Sequence, residues 1–267
     1  MTYSMIVAAL LLFIPPGGSD QPWKDSGPFQ DTFASAFASA GVEGTCILYD
    51  LESGAYSGYR PDRWDSMYIP ASTFKIPNSL FALETRVIAD AQTVIPWDSV
   101  SRSRAAWNHD HTMASAFKAS VVWFYQELAR RIGAARMQHF LDTTDYGNRT
   151  MGGAIDRFWL DGGLRISPRQ QIGFLVRLYR GTLPFTPSTM AAVRDIMIQE
   201  KSGTYTLRAK TGWSDATVPG VGWYVGYVER GSRIVFFATE LDIREDKDLA
   251  ARVEVTRAIL RQLGLID

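Results

Sequence analysis

Ser72 and Lys75, three residues apart in Ser72-Thr73-Phe74-Lys75, are the first residues in this chain whose types and spacing suggest chemistry. On a helix that spacing puts a hydroxyl and an amine on one face, within mutual reach. A serine is a weak nucleophile until a neighbouring base takes its proton. A lysine is such a base only when it is neutral, or when its nitrogen has been converted into something else. The pair follows Pro70, at a predicted helix start, where the backbone N–H of Ser72 faces a developing oxyanion. Pro77 removes one donor early in that helix. The same pattern recurs in Ser115-Ala116-Phe117-Lys118, so the motif alone does not select the reactive pair.

Lys210-Thr211-Gly212 is the second group, closing a strand-like stretch from Tyr205 to Ala209. A cation and a hydroxyl at a strand end suit a carboxylate, and a glycine lets the backbone approach a ligand closely. Lys201-Ser202-Gly203 repeats the pattern in a predicted turn, and in isolation an edge strand leaving through a glycine turn is the plainer reading. His109 and His111 form His-x-His, but only His139 and one cysteine remain to support them. That is too little for a metal site. No His-Glu-x-x-His or Gly-x-Ser-x-Gly occurs, so zincin and α/β-hydrolase chemistry find no motif.

The elements that must position these groups fall in three blocks. Thr32 to Ala40 predicts a short helix, and Thr45 to Tyr49 a strand. From Ser72 to about Ile198 the signals are mostly helical, with apolar spacings of three and four in Leu80–Leu83, Val121–Ile132, Ala134–Leu141 and Pro168–Leu178. Tyr205–Ala209, Gly222–Val228 and Ile234–Leu241 read as strands with short glycine-containing turns, ahead of a helix from Asp246 to Leu263. Short connections favour antiparallel pairing. The expected fold is therefore α+β, with a sheet built from both chain ends and an all-helical insert between them.

Composition sets the outer limits. The chain has 267 residues, 46% hydrophobic and 21% charged, enough to bury a sizeable core. Lys+Arg and Asp+Glu are both 28, which gives no general field for polyanions and argues against a nucleic-acid binder. A single cysteine, Cys46, permits no internal disulfide; in its predicted strand it is expected to serve packing. Met5 to Ile14 is an apolar run too short for a membrane span, which needs about 20 residues, but long enough for a secretory leader. Small residues at 17–19 offer a cleavage site, although no Lys or Arg precedes the run. The expectation is a leader over residues 1–19, no stable membrane anchor, and a periplasmic or secreted product.

Taken in order, Pro70-Ala71-Ser72-Thr73-Phe74-Lys75-Ile76-Pro77-Asn78, Ser120-Val121-Val122, Tyr146-Gly147-Asn148, Phe158-Trp159-Leu160 and Lys210-Thr211-Gly212 resemble the class D serine β-lactamases, the oxacillinases. The resemblance runs from about Gly44 to Ile266 and includes Pro219 to Gly226 and Arg252. It favours Ser72 and Lys210 over their decoys. It implies one catalytic domain over 20–267, with a mainly antiparallel sheet (about 20–65 and 199–267) flanked by terminal helices and a helical subdomain (about 66–198) inserted. It also implies that Lys75 adds carbon dioxide to become N6-carboxylysine and acts as general base for Ser72, with no other cofactor than carbon dioxide or bicarbonate. An apolar Val122 in the middle motif helps desolvate Lys75, which lowers a lysine's pKa. Trp159 holds the carbamate with its N–H, and Ser120 relays a proton. Ser72 and Trp213 supply oxyanion donors, while Lys210, Thr211, Gly212 and Arg252 hold the substrate carboxylate. Tyr146-Gly147-Asn148 shapes the pocket. The implied partners are β-lactam antibiotics and the implied assembly a monomer or homodimer. The rival implications are a sensor domain that is acylated without turnover and a penicillin-binding D,D-peptidase, though the latter usually has Asn where Val122 stands.

Overall fold

A computed structural model describes residues 30–267 of the chain. The predicted leader lies outside the described residues. Helix α1 (Gln30–Ala40) leads into strands β1 (Gly44–Asp50) and β2 (Tyr56–Tyr59). The middle of the chain forms α2 (Lys75–Glu84), a short ladder of β3 (Val94–Ile95) with β4 (His111–Thr112), then α3 (Met113–Ala119), α4 (Val122–Ile132), α5 (Ala134–Thr143), α6 (Pro168–Arg180) and α7 (Pro187–Ile196). Strands β5 (Ile198–Lys201), β6 (Thr206–Ser214), β7 (Gly220–Arg230) and β8 (Arg233–Ile243) follow, before α8 (Asp248–Gln262).

The main sheet has the order β2-β1-β8-β7-β6-β5, and every pair in it is antiparallel. Pairing of β1 with β8, from Gly44↔Leu241 to Asp50↔Val235, closes the chain ends into one sheet. Alternate residues of a strand face opposite sides. Cys46, Leu48, Leu207, Val228 and Phe237 therefore meet Phe33, Phe37, Val255 and Ile259 of the terminal helices. Ile47, Val225, Phe236 and Ala238 on the other face pack into the helical region with Leu80, Phe124 and Leu175. The fold is the α+β arrangement expected. Cys46 is buried in β1, where the Thr239 hydroxyl donates to its sulfur at 3.3 Å.

Local chemistry explains the boundaries. Ser167 and Gln170 form a reciprocal capping box at the start of α6, Pro168 occupies its first turn, and Gly181 ends it in the left-handed region. Thr112 and Ser115 make a second capping box for α3, whose Lys118 points to solvent. Ser115 and Lys118 are thus a helix cap and a surface charge. One boundary differs from expectation: β6 does not end at Ala209 but runs to Ser214, so Lys210-Thr211-Gly212 lies inside a strand. Strand β7 continues alongside it through Ser214↔Val221, and that pairing carries the strand past the glycine.

Candidate active site

Ser72 sits in a turn of tight helix, Ala71–Phe74, that runs directly into α2. Ala71 ahead of it has a φ of 49°, a left-handed conformation that is strained for a residue with a Cβ. Neighbouring backbone holds it there. The Ala71 N–H donates to the Trp159 carbonyl at 2.9 Å, and the Thr73 N–H and hydroxyl both bond the Pro70 carbonyl. From below, the Trp223 indole N–H donates to the Ile69 carbonyl at 2.8 Å.

Lys75 places its Nζ 2.8 Å from Ser72 Oγ, the reach that proton transfer requires. The lysine is fully buried, with its amine 5.3 Å from the centre of the Tyr125 ring. Burial first, then the charges of Lys210 and Arg104, holds that amine well below the ordinary lysine range. Trp159 is also buried, stacked on Phe74 at 5.3 Å, and its Nε1–H has no hydrogen-bond partner. A buried unpaired donor is costly, by about 1–3 kcal/mol, and marks a place where an acceptor belongs.

Strand β6 forms the opposite wall. Its pairing with β5 stops at Arg208, so among the described residues no strand covers that edge from Lys210 to Ser214. The open edge faces the Ser72 turn: a Cβ on Gly212 would lie 3.0 Å from the Pro70 carbonyl oxygen and 3.1 Å from Thr73 Cγ2. Lys210 is buried beneath α3, its Nζ 5.6 Å from the Phe117 ring centre and 3.1 Å from the Thr211 carbonyl. Burial, with Arg252 and Arg104 nearby, pushes its pKa down to about 7. Arg252 of α8 reaches over to β6 and donates to the Gly212 carbonyl at 2.5 Å. The Ser214 hydroxyl bonds the Leu160 carbonyl at 2.8 Å, tying β6 to the same segment that holds Ala71.

Between these walls lies a cleft of about 360 Å³, lined by Ser72, Ser120, Val122, Thr211, Trp213 and Arg252 among others. Ser120 caps α3 in the left-handed conformation, with φ 56°. The structure thus brings together the residues of the Ser72, Ser120, Trp159 and Lys210 motifs and Arg252, with Lys75 and Trp159 buried behind the serine and Lys210 buried beneath α3. Val122 lines the cleft, whereas its neighbour Val121 is fully buried in the core. Tyr146 packs edge-on against Phe74, and the Asn148 amide donates to the Gly163 carbonyl. None of the three residues of that motif lines the cleft itself. His109 and His111 lie with ring centroids 4.1 Å apart and planes tilted by 34°; among the described residues no group of three His, Cys, Asp or Glu side chains could hold a metal ion. Sequence reasoning missed the wall formed by Ser103, Arg104 and Trp107, because a loop without periodicity carries no sequence signal of its position.

A nucleophilic serine paired with a buried amine, beside an open strand edge carrying a cation, is the constellation of a serine acyl-transfer enzyme. A family model, penicillin-binding protein transpeptidase domain, matches residues 44–261. The chain is 45% identical over 204 residues to β-lactamase OXA-48 of Klebsiella pneumoniae, covering 76% of this chain and 77% of that one. It is 41% identical over 225 residues to the probable β-lactamase YbxI of Bacillus subtilis, 84% of this chain and 82% of the relative. Among solved structures, the class D β-lactamase YbXI from Nostoc superposes with a TM-score of 0.86 at 46% identity, covering 88% of this chain and 99% of the other. FUS-1 (OXA-85), a class D β-lactamase from Fusobacterium nucleatum subsp. polymorphum, gives the same TM-score at 35% identity, over 89% and 99%. The chain belongs to the penicillin-binding transpeptidase family and, within it, to the class D serine β-lactamases.

Proposed function

We propose that this chain hydrolyses the strained amide of β-lactam antibiotics through an acyl-enzyme on Ser72, with Lys75 carried as N6-carboxylysine, and so confers resistance. The observation that supports this most is the buried Lys75, 2.8 Å from Ser72 Oγ and lowered in pKa, with the unpaired N–H of Trp159 in the same wall. A neutral amine adds carbon dioxide and releases a proton, leaving a carboxylate. That group supplies a proton acceptor beside Ser72 where an ammonium could supply none.

Ser72 Oγ forms its bond to the lactam carbonyl carbon, the ring C–N bond breaks, and an ester remains on Ser72. The backbone N–H groups of Ser72 and Trp213 stabilise the oxyanion, each such donor contributing roughly 10²–10³ in rate. Ser120 passes a proton to the departing nitrogen. Lys210, Thr211, Gly212 and Arg252 hold the substrate carboxylate at the edge of β6, while Val122 and Trp213 border the acyl group. Water then attacks the ester, with general-base help at Lys75 worth about 10²–10⁴.

Hydrolysis of a chromogenic cephalosporin, with and without bicarbonate, tests this reading, together with carbon-13 NMR of protein exposed to labelled bicarbonate. Sustained turnover and a carbamate signal lost in Lys75→Ala are expected. One equivalent of burst followed by silence leaves a sensor domain instead, and release of a terminal D-alanine from a peptide leaves a D,D-peptidase. We also propose export behind a leader over residues 1–19, which N-terminal sequencing of the mature protein checks. Among the described residues no helix is long and apolar enough to cross a membrane.

A further inference from the structure

Arg104 stands on the wall of the cleft that faces β6 and Arg252. It precedes the helical turn Ala105–Trp107 in extended backbone, with its guanidinium 5.2 Å from the Trp107 ring centre. That ring is a fixed platform. The Trp107 indole N–H donates to the Ala119 carbonyl at 3.0 Å, next to Ser120, and the Trp107 carbonyl accepts from the Trp123 indole at 2.8 Å. Stacking over an anchored indole limits where the arginine can point.

Its charge has no counterpart. Arg102, two residues earlier, is neutralised by Asp98 at 2.6 Å, and Arg157 on the cleft rim is paired with Asp161. Among the described residues no carboxylate lies within ion-pair reach of Arg104. Asp215 also borders the cleft, in the turn after β6, and is paired with no cation there. The remaining cations of the site, Lys210 and Arg252, likewise lack carboxylate partners among the described residues. Arg104 is the exposed charge that acts on both, helping to depress each of their pKa values. Three mutually repelling groups around one cleft are unfavourable until an anion enters.

We propose that Arg104 is a further substrate-binding residue, gripping the ring carboxylate of the β-lactam from the wall opposite Lys210 and Arg252. The inference rests on the β-lactam reading of the site and adds a residue that neither the serine motif nor the Lys-Thr-Gly strand contains. A carboxylate offers about four lone-pair sites, so it accepts from Thr211, Arg252 and Arg104 together. The arginine fork, held on Trp107, loses little freedom when it binds.

The test compares acylation rate constants for benzylpenicillin and its methyl ester, read by intact mass, in the parent chain and in Arg104→Gln. The ester keeps the lactam and side chain but lacks the anion. The ratio of acid to ester rate constants falls about ten-fold in Arg104→Gln, the size of one charge-assisted hydrogen bond partly open to water. In Arg104→Lys, which keeps the charge, the ratio stays nearer the parent value. In steady state the loss appears in KM rather than kcat. Equal changes for acid and ester, or none in either, overturn the proposal. A parent chain that neither forms an adduct with benzylpenicillin nor hydrolyses it overturns instead the reading of the site on which the proposal rests.

Discussion

Ser72 Oγ accepts a hydrogen bond from Lys75 Nζ at 2.8 Å, and the lysine giving it has no exposed surface. An amine at its ordinary pKa would stand there as ammonium and could not take the serine proton. Burial and two neighbouring cations depress that pKa, so neutral amine is available close to the serine hydroxyl. Tyr125 and the Phe74–Trp159 stack supply the apolar surroundings.

Trp159→Phe separates packing from hydrogen bonding at this point. Phenylalanine keeps an aromatic face against Phe74 and removes the unpaired N–H. Turnover at ambient carbon dioxide is expected to fall by about 10–100-fold, the range for losing one buried hydrogen bond to a charged group. Added bicarbonate is expected to restore most of it. A variant that has merely lost its fold gains nothing from bicarbonate, so rescue is the deciding measurement.

Lys210 predicts how substrate affinity depends on pH. Its folded-state pKa is lowered to about 7, by burial first and then by Arg252 and Arg104. Below that pH the cation proposed to hold the substrate carboxylate is present; above it the free enzyme loses that charge. KM is therefore expected to be lowest below pH 7 and to climb above it, by at most about ten-fold per pH unit. For stability the sign is opposite. Between pH 7 and the unfolded value of 10.5 the unfolded chain holds the extra proton, so this lysine adds stability as pH rises through that window. A KM flat from pH 6 to 9 would contradict the assignment.

Much of this arrangement was legible beforehand, for identifiable reasons. α6 carries its own start and stop in Ser167, Pro168, Gln170 and Gly181. β7 and β8 show long apolar runs because both faces are buried. The Ser115–Lys118 decoy could not be dismissed from its letters; the capping box on α3 removes it only once the helix start is known. β2, α3, α7 and β5 were missed, being short or weakly patterned. The roof over the buried lysines, Phe117 and Tyr125, reads as ordinary helix core until the fold sets α3 and α4 above the serine turn.

Gly212 stands where β6 comes close to the Ser72 turn. An added methyl group would meet the Pro70 carbonyl oxygen at 3.0 Å, Thr73 Cγ2 at 3.1 Å and Trp223 Cβ at 3.2 Å. Backbone and a buried strand residue cannot give way as a flexible side chain would. Gly212→Ala is expected to cost about 1–3 kcal/mol of stability. It also moves β6 from the Ser72 turn, lowering kcat by roughly 10² because a misplaced oxyanion donor acts like a missing one. Thermal melting and single-turnover acylation read the two effects separately. An unchanged kcat in a destabilised protein would show that this spacing serves folding alone.

Glu240 gives the protein a weakness toward rising pH. It lies in β8, where Asp242 takes both Nη atoms of Arg63 at 3.2 and 2.6 Å. Glu240 receives one contact at 2.9 Å, and its Oε1 is buried without a partner. Burial raises its carboxyl to about 8, Arg63 opposing and Asp242 reinforcing the shift. The native state therefore holds a proton that the unfolded chain releases near the ordinary value of 4.5. That contribution is complete below 4.5 and is lost as pH rises through 8. Glu240→Gln keeps a buried amide and removes the charge, leaving Arg63 to Asp242 and to the Tyr68 hydroxyl. Its melting temperature is expected to vary little between pH 5 and 9 from this source, where the parent protein loses several degrees, about 1–3 kcal/mol for a partly compensated buried carboxylate. Parallel melting curves for the two proteins across that range would show that Glu240 is ionised throughout.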